Sequence, residues 1–360
     1  MLCLSGGGYR AMLFHLGTLW RLNELAYLPN VDRVSSVSGG SITAGVLAKR
    51  WGELDFDQGV AGNFRETVAE DLLALANRTI DIWAVLRGLL SFTPIANRVA
   101  GAYRRQLFGG RTLQQLPPRP EFVFNSTSLQ SGELWRFSKE RMADYRVGEV
   151  PAPEVELAVA VAASSAFPPF LSPLRLKLAP GVVKPFADEP TPPPLYRPPY
   201  TTRVVLSDGG VYDNLGLQQA KGFPEKLVSD GGAKTADEER PSGLWPLQFL
   251  RVLKVIDNQV LALRTQELIE SYKDASDPTR GAYWGIRTDI AGYGVETLPA
   301  PPERTHELAV TPTRLARLPP ERRNRLVNWG YAVCDAAMRA YVLPQPPPGP
   351  PSDFPLPDGV

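Results

Sequence analysis

The sequence predicts a three-layer α/β/α fold with a mixed central sheet and an attached helical cap. Three observations predict it. The first 50 residues alternate strand and helix signals, with a glycine or small-residue turn after each strand. Apolar runs of strand length recur at 121–127, 134–137, 202–206 and 226–228. Long stretches with helical periodicity lie between and after them.

Met1 to Ser5 is a short apolar run that stops at three glycines, which reads as a buried strand feeding a turn. Ala11, Leu13, Phe14, Leu16, Leu19, Trp20, Leu22 and Leu25 then recur at helical spacing. Arg33–Val37 reads as a second strand, breaking at Ser38-Gly39-Gly40-Ser41 into a small-residue helix through Ala48. Residues 60–108 read as mainly helical, and Glu121–Thr127 and Leu134–Phe137 as strands. Glu156–Ser165 is an alanine-rich helix ended by Pro168 and Pro169. Residues 178–200 are dense in proline and read as an irregular surface insertion. Thr202–Leu206 and Lys226–Val228 read as strands, and Leu247–Tyr272 and Glu321–Tyr341 as long helices. One domain is expected over 1–343, followed by a disordered proline-rich tail at 344–360.

The bulk numbers exclude several classes. With 43% hydrophobic residues in 360, the chain can bury a large core. Its formal charge of +1 lacks the basic excess of a nucleic-acid binder. Cys3 and Cys334 form no disulfide framework or zinc spacing. No uninterrupted apolar run reaches the ~18–20 residues of a membrane span. No basic n-region or cleavage pattern is visible, so a cytoplasmic protein with peripheral lipid contact is expected.

Three strings carry candidate chemistry. Ser5-Gly6-Gly7-Gly8-Tyr9-Arg10 is a glycine loop between strand and helix. Such backbone amides make an anion site, suited to a phosphate or to the oxyanion of an acyl-transfer intermediate. Ser36-Val37-Ser38-Gly39-Gly40 approximates the G-x-S-x-G nucleophile elbow, with Ser36 in place of the first glycine and Ser38 at its centre. Ser207-Asp208-Gly209-Gly210-Val211-Tyr212-Asp213-Asn214 follows a strand, where an aspartate can point over the sheet end and the two glycines leave it accessible.

Taken in order, the glycine loop, serine elbow and distant D-G-G resemble the patatin-like phospholipases, a family that includes cytosolic phospholipase A2 catalytic domains. Ala163-Ser164-Ser165-Ala166-Phe167-Pro168 is similar to that family's small-residue and proline stretch. The resemblance spans roughly residues 1–235. It implies a patatin-like fold and lipid acyl hydrolysis by a Ser–Asp dyad without histidine. Ser38 would be the nucleophile and Asp208 the base. The amides of Gly7 and Gly8, with Gly6 beside them, would hold the oxyanion. Gly40, Gly209 and Gly210 would shape the turns. No metal or organic cofactor is implied, and the partner is a lipid substrate. Ser36 and the short first strand depart from the family pattern. An acyltransferase using the same acyl-enzyme and a lipid-binding pseudoenzyme stay open as alternatives.

Other residues admit plainer readings. Asp230-Gly231-Gly232 repeats the D-G-G string, but lacks the Val211–Gly216 continuation. His15 could complete a triad, yet it sits among Leu13, Phe14 and Leu16 and reads as a core histidine. Arg10 either attracts a lipid phosphate or braces the loop through a carboxylate, and bracing is the reading adopted. His306 is expected in a loop. The apolar stretch Ile80–Ile95 is either core or a lid that docks on a membrane.

Overall fold

Alternation along the first strand, β1 (Leu2–Leu4), sets up two layers. Leu2 and Leu4 enter the large apolar cluster on one face of the sheet; Met1 and Cys3 enter a smaller cluster on the other. The computed structural model describes residues 1–80, 95–169, 171–232, 237–274, 276–344 and 349–360.

The sheet comprises β1, β2 (Arg33–Val37), β5 (Glu121–Ser128), β6 (Leu134–Phe137), β7 (Arg141–Asp144), β8 (Gly148–Pro151), β9 (Leu174–Lys177), β10 (Arg203–Asp208), β11 (Glu225–Asp230) and β12 (Arg280–Gly285). A separate small hairpin pairs β3 (Phe56–Asp57) with β4 (Val60–Ala61). Strands β12, β11, β1, β2 and β5 run parallel. From β5 onward β6, β7 and β8 run antiparallel, so the sheet is mixed as expected.

One local feature of this sheet positions the site. Along one edge of β5, β2 pairs up to Val37↔Asn125, and its partner runs parallel. On that same edge, opposite β6, the antiparallel β10 begins its pairing at Asp208↔Ser126. The C-terminal ends of β2 and β10 therefore meet head to head at adjacent positions of β5.

The helices are α1 (Gly8–Glu24), α2 (Gly39–Arg50), α3 (Glu70–Leu75), α4 (Ile95–Tyr103), α5 (Leu157–Ser164), α6 (Gly210–Asp213), α7 (Trp245–Lys273), α8 (Pro302–Ala309) and α9 (Pro320–Tyr341). Helix α1 packs along α9 and α2, and α4 packs on α5. Helix α7 reaches the opposite layer, where Leu268 joins Met1, Cys3 and Val228. No described helix is long and apolar enough to cross a membrane.

Several expectations are corrected. Strands β7, β8, β9 and β12 carry charged or glycine residues and gave no strand signal; cross-strand pairing makes them strands, not propensity. The stretch read as helical over 60–108 includes β4 and two π-helical turns, Arg65–Ala69 and Arg104–Phe108. The lid reading of Ile80–Ile95 falls largely on 81–94, outside the described residues; Ile80 itself is core. Residues 178–200 carry no helix or strand, but Val183 is buried and Lys184 bridges to Glu149. His306 lies in α8 rather than in a loop.

The tail differs most. Residues 349–360, expected to be disordered, fold back on α9. The buried Asn328 amide donates to the carbonyls of Leu356 and Gly359, each at 2.8 Å, and accepts from the Leu356 amide. A buried side-chain amide needs partners, and the tail backbone supplies them.

Candidate active site

The elbow is strained. Ser38 sits between β2 and α2 with φ 51° and ψ −118°, a conformation costly for a residue with a side chain. Hydrogen bonds hold it there. Its amide donates to Ser164 Oγ at 3.0 Å. Ser164 is linked to Ser41 Oγ at 2.8 Å, and Ser41 donates to Ser36 Oγ at 2.9 Å. The departure from glycine at position 36 thus supplies a hydroxyl that closes this chain, and Ser36 itself donates to the Val123 carbonyl.

The glycine loop meets the elbow backbone to backbone. The Gly40 amide donates to the Ser5 carbonyl at 3.1 Å. A Cβ at Gly40 would lie 2.5 Å from the Leu4 oxygen and 2.6 Å from the Ser5 oxygen, both fixed backbone. Gly40→Ala is therefore expected to destabilise the fold by about 1–3 kcal/mol and to lower kcat by pushing the elbow off the loop. Urea unfolding and steady-state kinetics on the folded variant would check both.

Gly7 (φ 142°) and Gly8 (φ 60°) take left-handed backbone values, which turns the loop into α1. Their amides have no hydrogen-bond partner among the described residues, and they lie at the positive end of α1. Gly6 differs. Its amide already donates to the Asn214 carbonyl at 3.1 Å, so it is engaged in holding the loop to the D-G-G segment. A Cβ at Gly6 would lie 3.1 Å from the Ser38 Cβ, which puts loop and elbow side by side.

Asp208 ends β10 and is 1% exposed. Its amide donates to the Ala166 carbonyl at 2.9 Å and the next amide, that of Gly209, to Ser164 at 3.2 Å. Its Oδ1 accepts from the Gly210 amide at 2.7 Å. Its Oδ2 is buried without a hydrogen bond of standard geometry among the described residues. Burial pushes the carboxyl up to about 7, partly offset by the Gly210 amide and by the Ser38 hydroxyl; Asp257 on α7 pushes it up further. The Ser38 hydroxyl thus acts on this carboxylate and favours its ionised form, without a hydrogen bond of standard geometry among the described residues. Ser38, Asp208 and the free amides of Gly7 and Gly8 converge where β2, β10 and β1 end.

The remaining sequence candidates lie around this centre. His15 is fully buried, with Nε2 3.0 Å from the Ser5 carbonyl and Nδ1 2.9 Å from Ser229 Oγ. The carbonyl can only accept, so Nε2 carries the proton and Nδ1 accepts from the serine. Burial pushes its pKa down to about 4, and the ring braces the loop as a neutral core group. Asp230 is fully engaged by the Gly232 amide at 2.8 Å and by Tyr283 at 2.9 Å. Arg10 is buried and donates to the carbonyls of Gly231, Ala309 and Thr311. It braces the loop through carbonyls rather than the expected carboxylate. Asp213 caps the following turn and pairs with Arg264 at 2.7 Å.

Sequence reading missed the roles of Ser164, Ser41, Asn214 and Asp257. Ser164 and Asn214 lie inside strings already singled out. Asp257 had no local signal, because only the packing of α7 brings it near Asp208. Among the described residues no group of three or more His, Cys, Asp or Glu could hold a metal.

The family model for patatin-like phospholipases matches residues 2–221. This stretch contains the glycine loop, the elbow and the D-G-G turn. The chain belongs to the patatin-like phospholipase family. Its fold is similar to that of human GIVD cytosolic phospholipase A2, with a TM-score of 0.54 and 14% identity over 94% of this chain. The chain spans 60% of the length of that protein. VipD from Legionella pneumophila matches with a TM-score of 0.37 and 17% identity, over 94% of this chain and 66% of that one. No curated protein matches the chain.

Proposed function

We propose that this patatin-like protein hydrolyses acyl esters of glycerolipids through a Ser38 acyl-enzyme, with Asp208 as base. The observation that carries the reading is the head-to-head meeting of β2 and β10, which brings a strained serine to a buried carboxylate beside two amides that have no partner among the described residues. Family membership and the fold shared with a phospholipase A2 support the substrate class.

In the first step Ser38 Oγ attacks the ester carbonyl and its proton passes to Asp208. The carbonyl oxygen becomes an oxyanion, held by the amides of Gly7 and Gly8 and by the positive end of α1. Collapse of the intermediate breaks the acyl–oxygen bond, and the proton on Asp208 leaves with the alcohol. Water then attacks the acyl-enzyme, giving its proton to the same carboxylate, and the fatty acid departs as Ser38 is restored.

An ordinary aspartate, at ~3.9, would be a feeble base for a hydroxyl. Burial changes that: a carboxyl near 7 is matched to neutral pH as the imidazole of a triad would be. The base works only when ionised, so kcat is expected to rise with pH through about 7 and then level off. Asp257→Asn removes a like charge and is expected to move that inflection to lower pH. A kcat–pH profile of both proteins on a soluble ester measures the displacement; an unmoved inflection would remove Asp257 from the account.

The direct test is labelling by a fluorophosphonate probe alongside hydrolysis of p-nitrophenyl butyrate. Labelling at Ser38 with turnover is expected. A folded protein that neither labels nor turns over would favour a lipid-binding role without catalysis.

A further inference from the structure

A cavity lined by charged side chains opens at the start of β2 and β5. Its volume is about 140 Å³, on the order of four or five water volumes. Arg33 begins β2 and Glu121 begins β5, and the two pair in register. Ser38 lies beyond the far end of β2, a strand of 5 residues, or roughly 17 Å away along it. Alternation and pairing gather the other wall residues on the same face of the sheet. Glu121, Val123 and Asn125 alternate along β5, and Arg136 of β6 pairs with Asn125. Ala143 of β7 pairs with Arg136, which puts Arg141 on that face as well.

Two of the arginines are held by partners of their own. Arg33 pairs with Glu121 at 2.6 Å and donates to the Gln219 backbone carbonyl at 3.2 Å. Arg141 pairs with Glu149 at 3.0 Å. Two side chains between them are left over. Arg136 makes no hydrogen bond or ion pair among the described residues. Gln219, in the turn Leu217–Ala220, is 8% exposed, yet its carboxamide makes no hydrogen bond among the described residues either. Neither side chain has a nitrogen or oxygen sealed from solvent, so both open into the cavity they line. Arg136 can only donate, and the Gln219 carboxamide can turn its NH2 toward the same space. A small space faced by these donors calls for an acceptor.

Electrostatics set the charge of that acceptor. Burial, and then the like charges of Arg141 and Arg33, push the Arg136 pKa down, so its cation is held at a cost. Glu121 and Glu149 offset part of that cost. They already serve Arg33 and Arg141, which leaves one guanidinium charge without a counterion of its own. A single negative charge matches it. A dianion would instead be repelled by the carboxylates of Glu121 and Glu140, which line the same cavity.

We propose that this cavity is a second ligand site, which takes the carboxylate of a small organic acid between the Arg136 guanidinium and the Gln219 carboxamide. The planar fork of a guanidinium matches the two oxygens of a carboxylate. The carboxylate supplies the acceptors that both side chains lack and the counterion that Arg136 lacks. Val123 lines the cavity as an apolar wall for the carbon end of the acid. The site is separate from the serine–aspartate centre and does not depend on the acyl-hydrolase reading.

The test uses the full chain and sodium propionate, with binding read by saturation-transfer NMR and by urea unfolding. Saturable transfer to propionate is expected. The unfolding midpoint should rise with propionate more than with sodium chloride at the same ionic strength. Arg136→Gln is expected to weaken propionate binding by at least about tenfold, and Gln219→Met by about threefold. Arg136→Gln should fold, because it removes a charge that burial opposes. Its urea unfolding and its hydrolysis of p-nitrophenyl butyrate without propionate check that. Absence of saturable transfer in the wild type overturns the proposal. So does wild-type propionate binding by Arg136→Gln, the result if propionate sat at the amides of Gly7 and Gly8 instead. Inorganic phosphate bound in preference to propionate would overturn the assignment to a carboxylate.

Discussion

Ser38→Ala is expected to lower kcat for ester hydrolysis by about three orders of magnitude or more, and to abolish fluorophosphonate labelling. The alanine removes the only atom proposed to bond the acyl group, and the free amides of Gly7 and Gly8 cannot replace it. The variant should fold. Its elbow is held by the residue 38 amide on Ser164 rather than by the serine side chain. Asp208→Asn is expected to cost a comparable factor, because the amide cannot take the proton. The two losses should not add, since nucleophile and base act in one step. His15→Gln is the contrasting case. The ring bonds Ser5 and Ser229, so kcat per folded molecule should stay within about tenfold of wild type. Equal loss in all three variants would replace the dyad with a histidine-dependent mechanism.

Asp208→Asn is also expected to make the protein more stable at pH 8. The carboxyl rises from 3.8 in the unfolded chain to about 7 in the folded one, chiefly because it is buried. Below the unfolded value both states are neutral and the aspartate carries no penalty. As pH climbs past 3.8 the unfolded chain ionises first and stability falls, and above 7 the whole penalty is present. An asparagine of the same shape never ionises and should recover about 2–4 kcal/mol at pH 8. Near pH 4 most of that gain should vanish. Urea unfolding of both proteins at the two pH values measures it. An asparagine that destabilises equally at both would mean that the cost of a buried charge is not what sets the Asp208 environment. The expected pairing of lost turnover with gained stability is the mark of a group kept for chemistry at the expense of the fold.

The unused hydrogen-bonding groups around the site fit the same picture. An Oδ2 and two amides that lack partners among the described residues are costly to bury, unless a reacting group completes them. The Ser36–Ser41–Ser164 hydroxyl chain is satisfied throughout, and it holds the elbow rather than facing the reaction.

The strand–glycine–helix opening, the serine elbow and the D-G-G turn were legible because each is local. A short apolar run ends where small residues permit a turn, and a helical period resumes. The core assignment of His15 was legible too, from its apolar neighbours along α1. Strands β7, β8, β9 and β12 were not, since pairing with neighbours decides them. The docking of residues 349–360 on Asn328 was equally hidden, because proline-rich composition says nothing of a distant amide in want of carbonyls. The continuation Val211–Gly216 singled out Asp208 over Asp230, two aspartates in the same S-D-G-G string, but what makes their surroundings differ lies in the sheet. The antiparallel pairing of β10 on β5, abutting β2, brings one to Ser38. The parallel pairing of β11 on β1 turns the other into a partner for Tyr283 and Gly232. Motif chemistry is written in neighbouring residues, but the burial that lifts Asp208 to about 7 and the charge of Asp257 beside it come from segments far apart in the chain. Only their packing in three dimensions brings them together.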